Sequence, residues 1–299
     1  MDGQPLSPRE GAEPISLWHG ILAGLTLCTT LLAGASFDGR YSDLGPIDLT
    51  VFAIGHPSVF LAGLPFALPL LFILLVHEMG HFITARRYGI RTTWPYFIPG
   101  PPAISLGTFG AFIRLKGAIP DRGILMEVGV GGPLWGFLAS VAVASVGFIS
   151  AKLGYHAPAD LGLDVNLPLA YRGLQSIFLG DQRTVQTLFE NPILLAAWLG
   201  FFVQGLNLIP VGQLDGGHVL YGFARGGHRW MSTGIAAALA AYAVIQPQWI
   251  VWAVLLFFVL GLRHPPTLRD ERPLSGAQMA LGFAAVVIFA LCFLPAPFA

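Results

Sequence analysis

Charged residues are scarce in this sequence. Asp, Glu, Lys and Arg make up 11% of its 299 residues, 55% are hydrophobic, and the mean hydropathy is +0.68. Soluble domains carry roughly 25% charged residues. Because lipid-facing positions cannot easily carry charge, this deficit favours a membrane protein over a soluble one. The formal net charge is zero, so composition offers no argument for a nucleic-acid partner.

Cysteine is also scarce, and neither cysteine points to a function. Cys28 and Cys292 lie in apolar stretches near opposite ends of the chain. Small residues in such stretches usually pack against neighbours or face lipid. The two cysteines therefore do not indicate a redox compartment. No internal repeat or low-complexity segment stands out.

Seven apolar runs are long enough, or nearly so, to cross a hydrocarbon core that needs about 20 residues. They cover residues 16–36, 60–85, 124–150, 191–209, 231–245, 248–262 and 277–295. The fifth and sixth are short and form either a tight hairpin of two spans or one bent element, and we favour the hairpin. The sequence predicts an all-α polytopic membrane protein with about seven transmembrane helices.

The basic residues predict how these spans are oriented. Seven spans place the two chain ends on opposite sides of the membrane. Twelve basic residues fall on the N-terminal side: Arg9, Arg86, Arg87, Arg91, Arg114, Lys116, Arg122, Arg225, Arg229, Arg263, Arg269 and Arg272. Four fall on the other side: Arg40, Lys152, Arg172 and Arg183. The positive-inside rule makes the richer, N-terminal side cytoplasmic.

The first apolar run has a second interpretation, as a cleaved signal peptide. Ala33-Gly34-Ala35 resembles a small-residue cleavage site. The acidic residues before the run and its length favour a retained span. We therefore divide the chain into a cytoplasmic tail (1–15), a first span with a non-cytoplasmic loop (16–59), a three-helix core with a hairpin (94–120) and a loop (151–190) that contains the candidate functional residues (60–225), and C-terminal transmembrane helices (226–299).

A metal-binding motif lies inside the second span, where the sequence reads His77-Glu78-Met79-Gly80-His81. Histidines at i and i+4 share one helical face, so both imidazoles can reach one Zn²⁺. Glu78 is placed to contact a water at the metal and to act as general base and then acid. Ionisable residues within a membrane are expensive and are functional candidates by default.

A catalytic zinc site normally takes three protein ligands, so a third must come from elsewhere. Asp215 follows the fourth span on the cytoplasmic side, at the predicted depth of the histidine pair, within a Gly- and Pro-rich break. Glu127 is on the same side but has no surrounding break, and Glu190 is predicted at the opposite face. His218 is the rival ligand. Because irregular backbone at membrane depth lines a cavity or is buried, we favour Asp215.

At these residues the chain resembles the site-2 protease family of intramembrane zinc metalloproteases. Three motifs occur in the expected order. They are His77-Glu78-Met79-Gly80-His81, Gly132-Pro133-Leu134-Trp135-Gly136 and Asn207-x-x-Pro210-x-x-x-Leu214-Asp215-Gly216. Together they cover roughly residues 60–225.

The resemblance implies that Asp215 is the third zinc ligand and that Asn207 binds substrate or stabilises the oxyanion. Gly132 and Pro133 belong to the glycine-rich motif and are expected near the substrate. Many relatives carry Asn or Ser where this chain has Gly136. The loop 151–190 has no room for the PDZ domain that many relatives carry there. In this respect the chain resembles the PDZ-less branch of the family.

The segment 94–120 predicts a small membrane-associated β-hairpin beside the active site. Gly107 and Gly110 are expected to bracket its turn. The strand edge could pair with an unwound substrate backbone, so Gly107 and Phe109 are named as substrate-binding residues. The alternative is an ordinary cytoplasmic loop. The hairpin is favoured because members of the resembled family carry such hairpins.

These features predict a zinc-dependent intramembrane endopeptidase that cleaves transmembrane or juxtamembrane segments in regulated intramembrane proteolysis. The resemblance implies single-span or other membrane-protein substrates, such as an anti-sigma factor, in contact with the lipid bilayer. A metal transporter and a non-catalytic membrane-protein-binding relative are the alternatives. A transporter would carry further ionisable residues along a crossing path, and a binder does not need Glu78. Composition suggests a bacterial inner membrane, with a plastid membrane as the other option.

Overall fold

A computed structural model describes residues 14–41, 43–155, 165–180, 191–247, 249–254, 261–262 and 264–297. Most of these residues are helical. The helices are α1 Leu17–Ala35, α2 Pro46–Gly55, α3 Val59–Ala62, α4 Leu64–Arg87, α5 Pro102–Ser105, α6 Arg122–Lys152, α7 Leu169–Leu179, α8 Pro192–Asn207, α9 Asp215–Ala224, α10 His228–Tyr242, α11 Trp249–Val254 and α12 Gly276–Cys292. The strands are β1 Arg91–Thr92, β2 Tyr96–Pro99, β3 Thr108–Phe112 and β4 Leu115–Lys116.

Among the described residues, three helices, α1, α4 and α6, are long and apolar enough to span a membrane. Three shorter apolar helices, α2, α8 and α12, have 10, 16 and 17 residues. The predicted fifth span corresponds to the 15-residue helix α10. The predicted sixth overlaps α11, and residues 255–260 and 263 lie outside the described part of the chain. A mostly helical protein with spanning helices is therefore confirmed, whereas seven transmembrane helices are not shown.

The core is formed by α4, α6 and α8, which pack against one another. Glycines allow α4 and α6 to approach closely, because a Cβ atom at Gly80 would lie 2.3 Å from the Gly131 carbonyl oxygen. Fully buried aromatic residues such as Phe66, Phe148 and Phe201 fill the space between the helices. The predicted catalytic core thus has the motif-bearing helices at its centre.

Polar side chains define where the central helices begin. The carboxylate of Asp121 accepts a hydrogen bond from the Ile124 amide at the start of α6 and pairs with Arg272 at 2.9 Å. The side chain of Asn191 accepts hydrogen bonds from the Ile193 and Leu194 amides at the start of α8. Such caps satisfy amides that have no partner within the helix and so favour these helix starts.

The strands form an extended hairpin between α4 and α6. β2 pairs with β3 in antiparallel orientation, and β1 pairs with β4 further from the tip. The predicted hairpin over 94–120 is therefore present, but the predicted turn between Gly107 and Gly110 is wrong, because Thr108–Phe112 is a strand. The chain reverses over Gly100–Gly107 through α5, and the Gly100 amide donates to the Gly107 carbonyl at 3.1 Å. Pro101 and Pro102 favour this helical turn, since proline is well suited to the first positions of a helix.

Two helices lie where the sequence predicts loops. α2 occupies the non-cytoplasmic loop within residues 16–59. α7 occupies the loop 151–190, and its Tyr171 is buried against Phe148 with ring centroids 5.1 Å apart. This loop therefore packs on α6 over part of its length. Residues 156–164 and 181–190, which include Glu190, lie outside the described residues.

Candidate metal centre

Helix α4 brings His77 and His81 together one turn apart. Both side chains are buried, and their Nε2 atoms are 3.1 Å apart. The Nδ1 atom of His77 lies 2.8 Å from Gln204 Oε1, and that of His81 lies 2.7 Å from the Val128 carbonyl oxygen. Because both oxygens are acceptors, each imidazole donates from Nδ1 and keeps its Nε2 lone pair for a metal.

Asp215 completes a cluster of three potential ligands. Its Oδ2 atom lies 3.4 Å from His77 Nε2, and its Oδ1 atom lies 3.3 Å from His81 Nε2. Asp215 is the first residue of α9 and follows an irregular segment in which Gly212 has a positive φ of 58°. The Gly212 amide donates to Ser232 Oγ, which ties this break to α10. The break therefore carries the carboxylate from the end of α8 back to the histidines.

The donor set and spacing suit zinc. Two imidazole nitrogens and one carboxylate are typical ligands of a catalytic zinc ion, which leaves a fourth position open. Ligand atoms about 2.0–2.1 Å from a tetrahedral metal lie roughly 3.3 Å from one another. The three separations between these residues, 3.1, 3.4 and 3.3 Å, match that value. The residues present therefore fit a zinc ion, the cofactor that the sequence predicts.

Glu78 lies beside the cluster and faces the same cavity. Its Oε1 atom is 3.9 Å from His77 Nε2, and the backbone of Ile113 hydrogen-bonds to its carboxylate. The hairpin contributes Ala111, Phe112, Ile113 and Leu115 to the cavity wall, and the segment after α8 contributes Asn207, Gln213 and Leu214. The Glu78 carboxylate, the three candidate metal ligands and a strand therefore line one cavity.

The other candidate ligand Glu127 lies away from the cluster. The Tyr88 hydroxyl and the Gln278 amide both donate to its carboxylate. Burial and the contact with Glu127 raise the pKa of Tyr88 to about 12, so the hydroxyl keeps its proton at neutral pH. Glu127 therefore joins α6 to the end of α4 and to α12.

His218 lines the cavity but is held by a second histidine rather than grouped with the three ligands. Burial and the nearby His264 lower the pKa of His218 to about 3, and burial also lowers the pKa of His264, so both rings are neutral. His264 Nδ1 donates to the Pro265 carbonyl at 2.6 Å, and its Nε2 then accepts from His218 Nδ1 at 2.8 Å. The Nε2 atom of His218 remains as an acceptor.

The glycine-rich motif of α6 packs against the metal-binding residues. A Cβ atom at Gly132 would lie 2.1 Å from His81 Nε2, and one at Gly136 would lie 2.5 Å from Gln204 Nε2. Gly132 and Pro133 were predicted to bind substrate, but both are buried within α6 and neither lines the cavity. Where many relatives of the resembled family carry Asn or Ser, Gly136 leaves space for the Gln204 side chain.

The remaining predicted substrate-binding residues lie at different distances from the cavity. Asn207 lines it, with Nδ2 3.4 Å from His77 Nε2. Gly107 instead packs on α1, and the Thr29 hydroxyl donates to its carbonyl oxygen at 2.6 Å. Phe109 is 62% exposed and does not line the cavity. The hairpin therefore contributes Ala111, Phe112, Ile113 and Leu115 to the cavity rather than its tip.

Gln204 is the site residue that sequence reasoning missed. It is fully buried in α8 and contacts a predicted metal ligand. The available signal was a polar residue inside an apolar helix, which is a functional candidate in a membrane protein. The Val128 carbonyl that holds His81 carries no sequence signal, since every residue has one.

The fold and the site define a class: helical membrane proteins that enclose a three-ligand metal cluster beside a carboxylate. Residues 65–245 match peptidase family M50. The chain belongs to this family, and its resemblance to the site-2 proteases is confirmed.

Relatives of the chain carry matching names. The chain is 31% identical over 246 residues to the probable zinc metalloprotease EGY2, chloroplastic, of Arabidopsis thaliana. The aligned region covers 79% of this chain and 42% of that protein. The chain is 28% identical over 311 residues to the Arabidopsis thaliana probable zinc metalloprotease EGY1, chloroplastic, covering 94% of this chain and 54% of that protein. The EGY2 protein of Oryza sativa subsp. indica is 32% identical over 237 residues, 76% of this chain and 41% of that protein. The chain thus spans about half or less of each relative.

The names of these relatives conflict with one prediction. They place the relatives in the chloroplast, whereas composition suggested a bacterial inner membrane. A bacterial location therefore finds no support in the comparisons. The spanning helices support a membrane protein, and the location is left at that level.

Proposed function

We propose that this chain is a zinc-dependent intramembrane endopeptidase that cleaves transmembrane or juxtamembrane segments of membrane proteins. One observation carries the proposal: the buried cluster of His77, His81 and Asp215 shares a cavity with the Glu78 carboxylate. A metal site built only for structure is closed by four ligands, whereas three ligands and an adjacent carboxylate suit hydrolysis.

The three ligands would hold zinc, which supplies a Lewis acid that polarises the scissile carbonyl and makes water acidic. Glu78 takes a proton from the attacking water and delivers it to the amine that leaves. A general base must lie within hydrogen-bonding reach of the proton that it removes, directly or through one water. The position of Glu78 supports this role, because its carboxylate lines the same cavity as the three ligands and its Oε1 atom lies 3.9 Å from His77 Nε2.

Asn207 assists the same step by binding the substrate carbonyl. Its side-chain amide can donate to an oxygen on which negative charge develops, and a fixed donor of this kind stabilises the transition state. The position of the amide supports this role, because Nδ2 lies 3.4 Å from His77 Nε2 in the cavity wall.

The substrate segment is proposed to lie along β3. A peptide bond in a transmembrane helix must unwind before hydrolysis, and an extended segment can then add to a sheet edge. In the described part of the chain β3 pairs with β2. Ala111 and Phe112 of β3, and Ile113 and Leu115 after it, line the cavity. Single-span or other membrane proteins are the proposed substrates, in keeping with the family to which the chain belongs.

The direct test is Glu78→Gln in purified protein reconstituted with a single-span substrate. We expect the variant to bind zinc at the wild-type level and to cleave at least about 100-fold more slowly, because general acid–base catalysis contributes that much or more. Metal content and cleavage rate are measured on the same sample. Mass spectrometry of membrane fragments from cells with wild-type or Glu78→Gln protein then identifies native substrates.

The matched control is Glu127→Gln. This change removes a carboxylate on the neighbouring helix α6. The Glu127 carboxylate accepts hydrogen bonds from Tyr88 and Gln278 and lies away from the cavity. Cleavage close to the wild-type rate is expected. Undiminished cleavage by Glu78→Gln would refute the assignment of the general base.

A further inference from the structure

The Gln204 side chain makes an unusual pair of contacts. Its Oε1 atom accepts a hydrogen bond from His77 Nδ1 at 2.8 Å, and the residue has no exposed surface. Its Nε2 atom meets no acceptor among the described residues. The amide is therefore satisfied only at the end that touches a predicted metal ligand.

Stability alone does not account for a glutamine at this position. A buried amide donor without a partner lowers the stability of the folded state, and an apolar side chain of similar size would avoid that cost. The surrounding helices are apolar, and Gln204 lies between Phe201 and Leu206 on a buried face of α8. A function that needs the carbonyl oxygen explains why a polar side chain is present.

The chain also provides a space shaped for this amide. A Cβ atom at Gly136 would lie 2.5 Å from Gln204 Nε2 and 2.7 Å from its Cδ. Any larger residue at position 136 would therefore push the amide away from His77. Gly136 and Gln204 act as one unit across the contact between α6 and α8.

We propose that Gln204 is a positioning residue for the metal site: it holds His77 as the Nδ1–H tautomer, with Nε2 free for zinc, in space that Gly136 provides. A hydrogen bond to the second nitrogen of a metal-binding histidine fixes its tautomer and ring orientation. His81 has a counterpart in the Val128 carbonyl. The inference rests on the proposed function, since His77 is taken as a zinc ligand.

The test compares Gln204→Met with Gln204→Glu in purified full-length protein. Methionine keeps approximately the volume but removes the acceptor, and glutamate keeps the acceptor. We expect Gln204→Met to weaken zinc binding by about 10–100-fold, the usual effect of losing such a partner, and Gln204→Glu to stay within a few-fold of wild type. Zinc affinity is measured by competition with a chelator, without reference to cleavage.

A second measurement separates positioning from a structural role. The thermal midpoint of zinc-free Gln204→Met in detergent should lie close to that of wild type, because removal of the unpartnered amide donor offsets the loss of the acceptor for His77 Nδ1–H. Weak zinc binding together with an intact fold supports the proposal. Wild-type zinc affinity in Gln204→Met, or equal loss in both Gln204 variants, would overturn it.

Gly136→Ala provides an independent test of the shared space. It should weaken zinc binding as Gln204→Met does, and the double variant should be no weaker than either single variant, since both changes break one contact. Gly200→Ala is the control, because its Cβ would also be crowded in the helix core, but the nearest atoms are Ser140 Oγ at 2.5 Å and Ile73 Cδ1 at 2.8 Å rather than atoms of Gln204. The proposal would also be overturned if Gly200→Ala lowered zinc affinity as much as Gly136→Ala does.

The result can be separated from a failure of the proposed function. If wild-type protein binds no zinc, the metal site itself is refuted. If wild-type protein binds zinc and Glu78→Gln fails to cleave while Gln204→Met is normal, the positioning role alone is refuted.

Discussion

At the residue scale, each histidine of the candidate site makes a specific contact through both of its ring nitrogens. His77 and His81 face each other through Nε2 and donate from Nδ1 to two different acceptors, Gln204 and the Val128 carbonyl. Asp215 closes the cluster with one oxygen near each imidazole. The geometry therefore leaves little freedom for the rings to turn away from a metal.

Gly132→Ala tests how closely α6 supports this arrangement. The new methyl group would lie 2.1 Å from His81 Nε2, so the ring has to move from its position beside Asp215. We expect zinc affinity to fall by at least about tenfold, as it does when the support of a metal-binding histidine is disturbed. Chelator competition measures the loss.

Gly24→Ala in α1 is the matched control for this change. It also replaces a glycine within a predicted membrane span, but no atom lies within 4 Å of the new Cβ. Zinc affinity and cleavage should stay at the wild-type level. Normal zinc binding in Gly132→Ala would contradict the support that α6 is inferred to give to His81.

At the scale of elements, α1 helps to position the hairpin, although the hairpin connects α4 to α6. The Thr29 hydroxyl donates to the Gly107 carbonyl oxygen, and His19 stacks on Tyr96 with ring centroids 3.9 Å apart. These contacts hold the tip of the hairpin, while Ala111, Phe112, Ile113 and Leu115 line the cavity. The first helix therefore has a part in presenting the strand on which substrate is proposed to lie.

Gly107→Ala and Gly110→Ala test this role as a pair. Both glycines have positive φ values, 88° and 103°, so alanine costs about 1–2 kcal/mol of backbone strain at either position. Only at Gly107 would the Cβ also lie 2.4 Å from Thr29 and Thr30 backbone atoms. That overlap adds roughly 1–3 kcal/mol.

We therefore expect Gly107→Ala to cleave substrate more slowly and to expose the hairpin to protease more than Gly110→Ala does. Zinc affinity should be the same in both, because neither glycine touches the metal cluster. Equal cleavage and equal protease sensitivity in the two variants would show that α1 does not position the hairpin.

At the scale of the whole molecule, the uneven distribution of basic residues predicts that the active site opens to the cytoplasmic side. Ala118 follows the hairpin, and Ser58 lies between α2 and α3 on the face predicted to be opposite. Both residues are exposed, so a cysteine at either position should be accessible to a reagent.

The measurement uses single cysteines in a variant that lacks Cys28 and Cys292. In intact expressing cells, an impermeant maleimide should label Ser58→Cys but not Ala118→Cys, and permeabilisation should expose Ala118→Cys. Cleavage activity of each variant serves as the control for folding. The reverse labelling pattern would invert the predicted orientation.

Local spacing was sufficient for part of the site. Histidines at i and i+4 on one helix must share a face, and the structure places their Nε2 atoms 3.1 Å apart. The choice of Asp215 over Glu127 depended on a predicted depth and a break in the helix, and the structure places Asp215 alone of the two beside the histidines. The hairpin was predicted as an element, but its turn was misplaced, because Pro101 and Pro102 start a helical turn that glycine positions alone did not indicate.

By itself, then, the sequence determined the membrane character of the chain, the helix that carries His77, Glu78 and His81, and the family to which it belongs. These depend on composition and on contacts within a few residues. Only the tertiary structure decided that Gln204 hydrogen-bonds to His77, that Gly136 leaves space for the Gln204 side chain, and that Gly107 packs on α1 instead of lining the cavity. Those contacts join helices far apart in the chain, since Gln204 lies 127 positions after His77, and they depend on how closely the helices approach one another.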